Sequence, residues 1–127
     1  MDQTILVERG HSLINLLEQQ GIMPRAAMWV HNTDTDTWRL WIVPPRPLTD
    51  KHEFYRRISE IISGNADHLQ DLDASDIEMV TEKHPAIEGL KRLFKVTGRS
   101  PVQVATIVLN GFYLSGGIIL QMDFGPS

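Results

Sequence analysis

The sequence contains no cysteine among its 127 residues. Disulfide bonds, thiolate nucleophiles and zinc–thiolate sites are therefore excluded, and a reducing compartment is favoured, so we expect a cytoplasmic protein. No apolar run approaches the ~18 residues that a membrane-spanning helix needs. The first residues also lack the basic start and continuous apolar stretch of a signal peptide. The sequence therefore predicts a soluble, unprocessed protein without a membrane partner.

The chain also lacks an excess of positive charge. Twelve Lys and Arg face sixteen Asp and Glu, which gives a net charge of −4 at pH 7. Such a molecule has no long-range attraction for a phosphate backbone, which argues against nucleic acid as a partner. Five basic residues lie along or next to the third predicted helix and form a basic flank. Favourable interaction of these cations with the end of the helix explains the flank best; the alternative is that it binds phosphate or an acidic protein. The flank comprises Lys83, Lys91, Arg92, Lys95 and Arg99.

Motifs for catalysis, cofactors and metals are absent from the sequence as well. Five histidines occur without HxH or HExxH spacing, and no GxSxG, GxGxxG or GxxxxGK[ST] frame is present. Near-matches to a calcium loop begin at Asn32 and Asp71, but both lack the glycine at the sixth position, and a turn and a solvated acidic loop explain them better. We therefore expect no catalytic residue, metal or cofactor, and enzymatic activity stays uncertain.

What the sequence does contain is typical of one globular domain, which we expect to cover residues 1–127. Hydrophobic residues make up 42% and charged residues 22%. Three segments show helical periodicity with N-cap, proline or glycine signals at their ends. Gly10, inside the first segment, argues against a start before Glu8. The predicted helices run from residue 4 to the stop at Gly21, from the N-cap Asp50 to Gly64, and from Pro85 to Gly98.

Strands are predicted in three places. Residues 26–43 carry β-branched and aromatic side chains on both sides of NTDTDT, which indicates a hairpin, and residues 77–80 indicate a short strand. Asn110-Gly111 between apolar runs predicts a second hairpin with a type I′ turn, although residues 102–110 could instead form a helix. Gly116-Gly117 would mark a bulge or a close backbone approach in its second arm.

These elements define the predicted fold class. Their order is α-ββ-α-β-α-ββ, and two hairpins plus one strand imply a mostly antiparallel sheet of about five strands. Three helices gathered mainly on one sheet face would make an α+β two-layer domain. The second face of the sheet would then be uncovered, although its strands carry apolar side chains on both sides.

The three tryptophans lie together in WVHNTDTDTWRLW. In the register that pairs Trp29 with Trp41, these two residues share one face of the hairpin with His31 and Arg39. The alternative register places Arg39 beside Met28 and Trp41 and buries a charge, so it is less favoured. An uncovered aromatic face of roughly several hundred Å² is unusual on a monomer and marks an interaction site.

We therefore expect a binding or interaction module that self-associates, most simply as a homodimer, through this aromatic face. Its ligand or interface residues would be Trp29, His31, Arg39 and Trp41, and another protein is a possible partner. The alternative is a small-molecule binder or enzyme in which the same residues form an aromatic pocket and Arg39 holds an anionic or planar ligand. A simpler alternative places Trp29 and Trp41 in the core, each beneath a helix.

Overall fold

The computed structural model describes residues 3–69, 72–98 and 100–124 and has an α+β fold. The order of helices and strands agrees with the sequence prediction through the third helix. After that helix the structure has four short strands, where two were predicted. A short 3₁₀ turn, Ala74–Asp76, precedes the third strand. The elements are α1 Gln3–Gln19, β1 Ala26–Asn32, β2 Thr37–Val43, α2 Lys51–Gly64, β3 Ile77–Met79, α3 Pro85–Leu93, β4 Val102–Val104, β5 Ile107–Leu109, β6 Phe112–Leu114 and β7 Gly117–Met122.

Five of these strands form one sheet in the order β3-β2-β1-β7-β4. β2 and β3 run parallel, whereas β1 with β2, β1 with β7 and β4 with β7 are antiparallel. β5 and β6 form a separate two-stranded antiparallel sheet. The predicted α+β class with a mostly antiparallel sheet is therefore confirmed.

Helix α1 matches the predicted stripe but begins earlier than Gly10 indicated. Its buried side is made of Leu6, Gly10, Leu13, Ile14 and Leu17. A Cβ atom at Gly10 would overlap the side chain of Leu120 and lie 3.0 Å from Nε1 of Trp29. Gly10 is thus required for a close approach of helix to sheet, and this gain outweighs its low helix propensity.

The other two helices show one agreement and one difference. The side chain of Asp50 caps α2 by accepting hydrogen bonds from two amides of its first turn, and α2 ends at Gly64 as predicted. Helix α3 ends at Leu93, so the predicted end at Gly98 is wrong. The backbone of Val96 exchanges two hydrogen bonds with Met122, of 3.0 and 2.8 Å, which pulls the chain out of the helix. Within the described residues, no helix is long and apolar enough to span a membrane.

The C-terminal hairpin is present but divided into four short strands. Asn110 and Gly111 have φ values of 51° and 84°, which confirms the predicted type I′ turn and excludes the helical alternative. The outer arms, β4 and β7, join the main sheet, whereas the inner arms, β5 and β6, turn away from it. A Cβ atom at Gly117 would lie 2.6 Å from the carbonyl oxygen of Trp29, so the predicted close backbone approach is also confirmed.

Both faces of the main sheet are covered, which corrects the expected arrangement of layers. The face covered by α1 and α2 is called the α1 face, and its core contains Leu13, Trp29 and Phe54. The face covered by α3 and the β5–β6 hairpin is called the α3 face, and its core contains Trp41 and Leu90. Because the inner arms of the second hairpin fold over the sheet together with α3, the apolar second face of the strands is not left uncovered.

Candidate functional site

The register of the first hairpin decides which predicted site residues meet. Met28 pairs with Trp41 and Trp29 pairs with Leu40, so the predicted pairing of Trp29 with Trp41 is wrong by one residue. Side chains alternate along a strand, and the four predicted residues are therefore divided between the two sheet faces. Trp29 and His31 lie on the α1 face, and Arg39 and Trp41 lie on the α3 face.

The observed register was disfavoured because it appeared to bury Arg39, and the structure removes that objection. Nε of Arg39 lies 3.3 Å from Oε1 of Glu78, and the two side chains are 48% and 39% exposed. Glu78 comes from β3, which pairs with β2 in parallel and places Glu78 directly beside Trp41. The guanidinium thus has a carboxylate partner and contact with solvent, so no unpaired charge is buried.

Neither Trp29 nor Trp41 forms part of an uncovered surface. Trp29 is 2% exposed, and its Nε1 donates a 2.7 Å hydrogen bond to the carbonyl oxygen of Leu6 in α1. Trp41 is 6% exposed, and its ring lies 4.8 Å from that of His84 and 5.8 Å from that of Phe112. The alternative that places both tryptophans in the core is therefore the correct one, and Trp29 is removed from the candidate site.

The acidic run between β1 and β2 is a turn with local hydrogen bonds. The side chain of Asn32 accepts from the amides of Asp34 and Thr35, at 3.0 and 3.4 Å. Nε2 of His31 lies 2.9 Å from Oδ1 of Asp36, and this hydrogen bond, together with the charge of His31, lowers the pKa of the Asp36 carboxyl. The turn interpretation of the first calcium-like motif is thus confirmed.

The second calcium-like motif falls partly on Asp71, which lies outside the described residues. The side chain of Asp73 accepts from the amide of Ser75 and caps the 3₁₀ turn. Across residues 3–69, 72–98 and 100–124, no group of three or more His, Asp or Glu side chains is placed to hold a metal ion.

The site residues on the α3 face line a cleft of about 350 Å³ between the sheet and the β5–β6 hairpin. We call it the aromatic cleft. Its sheet side carries Arg39, Trp41 and Glu78, and its hairpin side carries Phe112 and Tyr113. His31 borders the cleft at the end of β1, but its ring packs against Trp38, with 4.7 Å between centroids. Three of the four predicted residues therefore border one cleft, and two of them share its sheet wall.

The hairpin wall of the aromatic cleft is held at both ends. Nδ2 of Asn110 donates a 3.1 Å hydrogen bond to the carbonyl oxygen of Pro85, at the start of α3. At the other end, the hydroxyl of Ser115 donates to the carbonyl oxygen of His31. A Cβ atom at Gly89 would lie 2.8 Å from Leu109, so α3 and β5 pack closely. These contacts fix the distance between the two walls.

His84 links the aromatic cleft to α3. It is the N-cap of α3, where its Nδ1 accepts a 3.1 Å hydrogen bond from the amide of Ala86. Its ring packs 4.7 Å from that of Phe112. Burial lowers the pKa of His84, and the charge of Glu78 opposes this shift only in part. The neutral ring, with its proton on Nε2, is the form that the capping geometry requires.

Sequence reasoning missed Glu78, His84, Phe112 and Tyr113 as site residues. The signal for Glu78 was weak, because a three-residue strand gives too short an alternation to assign its faces. Phe112 and Tyr113 follow the predicted Asn110-Gly111 turn, but nothing local indicates that this hairpin folds over the first one. Arg39 and Trp41 were found because strand alternation places them on one face of the hairpin, rather than through a motif.

No family model, no curated protein and no solved structure matches this chain. The class that fold and site define is an α+β protein with a cleft between its main sheet and a separate hairpin.

Proposed function

We propose that this protein is a small-molecule-binding module whose ligand occupies the aromatic cleft. The observation that carries the proposal is a concavity of about 350 Å³ that combines Trp41, Phe112 and Tyr113 with the half-exposed Arg39–Glu78 pair. Ligand sites are typically concave, about 300–1,000 Å³, and largely aromatic, with a few placed polar groups. The cytoplasm is the proposed location, since a chain without cysteine suits a reducing compartment.

The chemistry of the walls favours a planar aromatic carboxylate as ligand. Nε of Arg39 lies 3.3 Å from Oε1 of Glu78, and the Arg39 side chain is 48% exposed, so a ligand in the cleft can reach its guanidinium. A guanidinium binds a carboxylate by donating two parallel hydrogen bonds to its oxygens. The ring of Phe112, which borders the cleft 5.8 Å from the ring of Trp41, offers a flat apolar surface to a planar ligand. Glu78 orients the guanidinium and disfavours ligands with several negative charges.

Arg39→Gln tests this proposal with two probes of equal shape, indole-3-carboxylate and indole-3-carboxamide. Titrations followed by amide chemical shifts in NMR should show the carboxylate binding about tenfold more tightly to the wild type, since a hydrogen bond to a charged group contributes about 1.5 kcal/mol. In Arg39→Gln the affinity for the carboxylate should fall to that for the carboxamide. Shifts should concentrate on residues 39–41 and 112–115.

The matched control is Arg57→Gln, which removes the same charge from α2 on the other side of the sheet. It should leave the tenfold preference unchanged, because screening limits a distant surface charge. Equal affinity of the wild type for both probes, or shifts centred outside the cleft, would contradict the proposal.

Self-association as a homodimer is a second candidate, and a different observation favours it. Val108 and Tyr113 are directly paired across the β5–β6 hairpin and are 63% and 61% exposed. Within the described residues, β5 and β6 pair with no further strand, so each outer edge can accept a strand from a second copy or another protein. The proposed interface is therefore the hairpin rather than the face that carries Trp29.

Val108→Lys tests the homodimer, because a symmetric hairpin interface would bring two added charges together. Light scattering should give a dimer mass for the wild type and a monomer mass for the variant. Met23→Lys, at a side chain that is 62% exposed elsewhere, is the matched control and should stay dimeric. A monomeric wild type at ~100 μM would dismiss self-association without affecting the ligand proposal.

A further inference from the structure

A second cleft, of about 370 Å³, lies at the opposite end of the α3 face. We call it the basic cleft. It is bordered by the segment after α3 and by the end of β7, whereas the aromatic cleft lies at the turn between β1 and β2. The seven residues of β1 separate the two regions by roughly 20 Å. The cations on its rim are Arg46, Lys91, Arg92 and Lys95.

These cations outnumber the carboxylates of the basic cleft, which are Glu82 and Asp123. Oε2 of Glu82 lies 3.1 Å from Nη1 of Arg25, and its Oε1 lies 3.9 Å from Nε of Arg46. The close contact with Arg25, followed by the charges of Arg25 and Arg46, lowers the pKa of Glu82. Glu82 is therefore ionised and already engaged by two arginines, which leaves it little capacity to neutralise the rest of the rim.

The remaining cations are weakly paired. Nζ of Lys95 lies 4.0 Å from Oδ1 of Asp123, and its side chain is 74% exposed, so water screens this contact. The side chain of Arg92 is exposed and forms no salt bridge with another residue that the structure describes. A protein with a net charge of −4 thus holds a local excess of positive charge in a concave region. Low-dielectric walls strengthen such a potential inside a cleft.

Charge near the end of a helix, the explanation favoured from sequence, covers only part of the rim. Lys91 and Arg92 lie in the last turn of α3, where cations are favourable. Lys95 lies beyond the end of the helix, and Arg46 comes from the segment between β2 and α2. Two separate parts of the chain, residues 91–95 and the segment that carries Arg46, therefore contribute cations to one concavity, which a helix-end effect does not require.

The basic cleft also has an aromatic surface. Nζ of Lys91 lies 5.5 Å from the ring centroid of Phe124, and Cζ of Arg25 lies 5.1 Å from it, so two cations are held beside this ring. We propose that the basic cleft binds a small phosphorylated ligand whose phosphate contacts Arg92 and Lys95 and whose apolar part packs against Phe124. Its volume suits a small molecule, and the net negative charge of the chain disfavours a long polyanion.

Adenosine monophosphate and adenosine are the probes, since they differ only by the phosphate. Isothermal titration of the full chain at 20 mM salt should show adenosine monophosphate binding at least tenfold more tightly than adenosine, with less preference at 200 mM salt. The double variant Arg92→Gln/Lys95→Gln should lose this preference. Both side chains are exposed, so the fold should be retained, which far-UV circular dichroism will verify.

The matched control is Arg56→Gln/Arg57→Gln, which removes the same charge from α2 on the opposite side of the sheet. It should keep the tenfold preference for adenosine monophosphate over adenosine. An equal loss of this preference in both double variants would mean that binding depends only on net charge and would overturn the proposal.

Phe124→Leu should lower the affinity for adenosine monophosphate while leaving the affinity for inorganic phosphate unchanged. A mixed oligonucleotide pool that bound more tightly than adenosine monophosphate would also overturn it, in favour of nucleic acid. Arg39→Gln should change none of these affinities, because Arg39 lines the aromatic cleft and not the basic cleft. The proposals for the two clefts are therefore tested independently.

Discussion

Trp29→Ala should lower the free energy of unfolding by about 3–5 kcal/mol, the usual range for removing a large buried aromatic side chain. Trp29 is 2% exposed between α1 and the sheet, and its Nε1 donates a hydrogen bond to the carbonyl oxygen of Leu6. The substitution removes both the packing of the ring and this hydrogen bond. Because Gly10 already brings the helix close to the ring, the backbone has little freedom to fill the cavity. Urea unfolding followed by far-UV circular dichroism measures the change.

Two further variants separate the contributions at Trp29. Trp29→Phe keeps an aromatic ring but not the N–H donor, so it should lower the free energy of unfolding by less than Trp29→Ala does. Trp38→Ala, at a half-buried neighbour on the same sheet face, should also cost less than Trp29→Ala. A folded Trp29→Ala protein with unchanged stability but lower oligomeric mass would instead restore Trp29 as an interface residue.

Trp41→Ala should also lower the free energy of unfolding by about 3–5 kcal/mol, and it should abolish binding of indole-3-carboxylate. Trp41 is 6% exposed and supports His84 and Phe112, which hold the start of α3 and the hairpin wall of the aromatic cleft. Its removal therefore weakens the core of the α3 face and one wall of the cleft together. Unfolding in urea and NMR titration of the same samples measure both effects.

Trp41→Phe distinguishes packing from ligand contact. The smaller ring should retain most of the stability, because it still fills the space beneath Phe112, whereas the affinity for indole-3-carboxylate should fall severalfold. Wild-type affinity in a folded Trp41→Ala protein would show that the ligand does not use this wall. Binding of adenosine monophosphate provides an internal control, since Trp41 does not line the basic cleft and the two clefts have no lining residue in common.

The local elements were predictable because their signals are carried by neighbouring residues. The stripe of α1, the N-cap Asp50 and the turn at Asn110-Gly111 each involve contacts within a few positions of the chain. The end of α3 was not predictable, because the hydrogen bonds between Val96 and Met122 join residues far apart in the sequence.

The candidate site was only half predictable for the same reason. Arg39 and Trp41 share one sheet face, as predicted, but the predicted register was wrong. It was chosen to avoid burying Arg39, and the sequence did not show that Glu78, on a strand of three residues, pairs with this half-exposed side chain. His84 and Phe112 reach Trp41 only after α3 and the second hairpin have folded over the sheet.

The sequence by itself determined the α+β class, the positions of most helices and strands, and the apolar character of both sides of the central strands. Only the tertiary structure decided that both sheet faces are covered, that Trp29 and Trp41 lie on opposite faces, and that cations from two separate segments line one cleft with Phe124. The physical reason is the range of the interactions: capping, turn formation and side-chain periodicity are local, whereas strand register and the approach of distant segments depend on which surfaces fit when the whole chain packs.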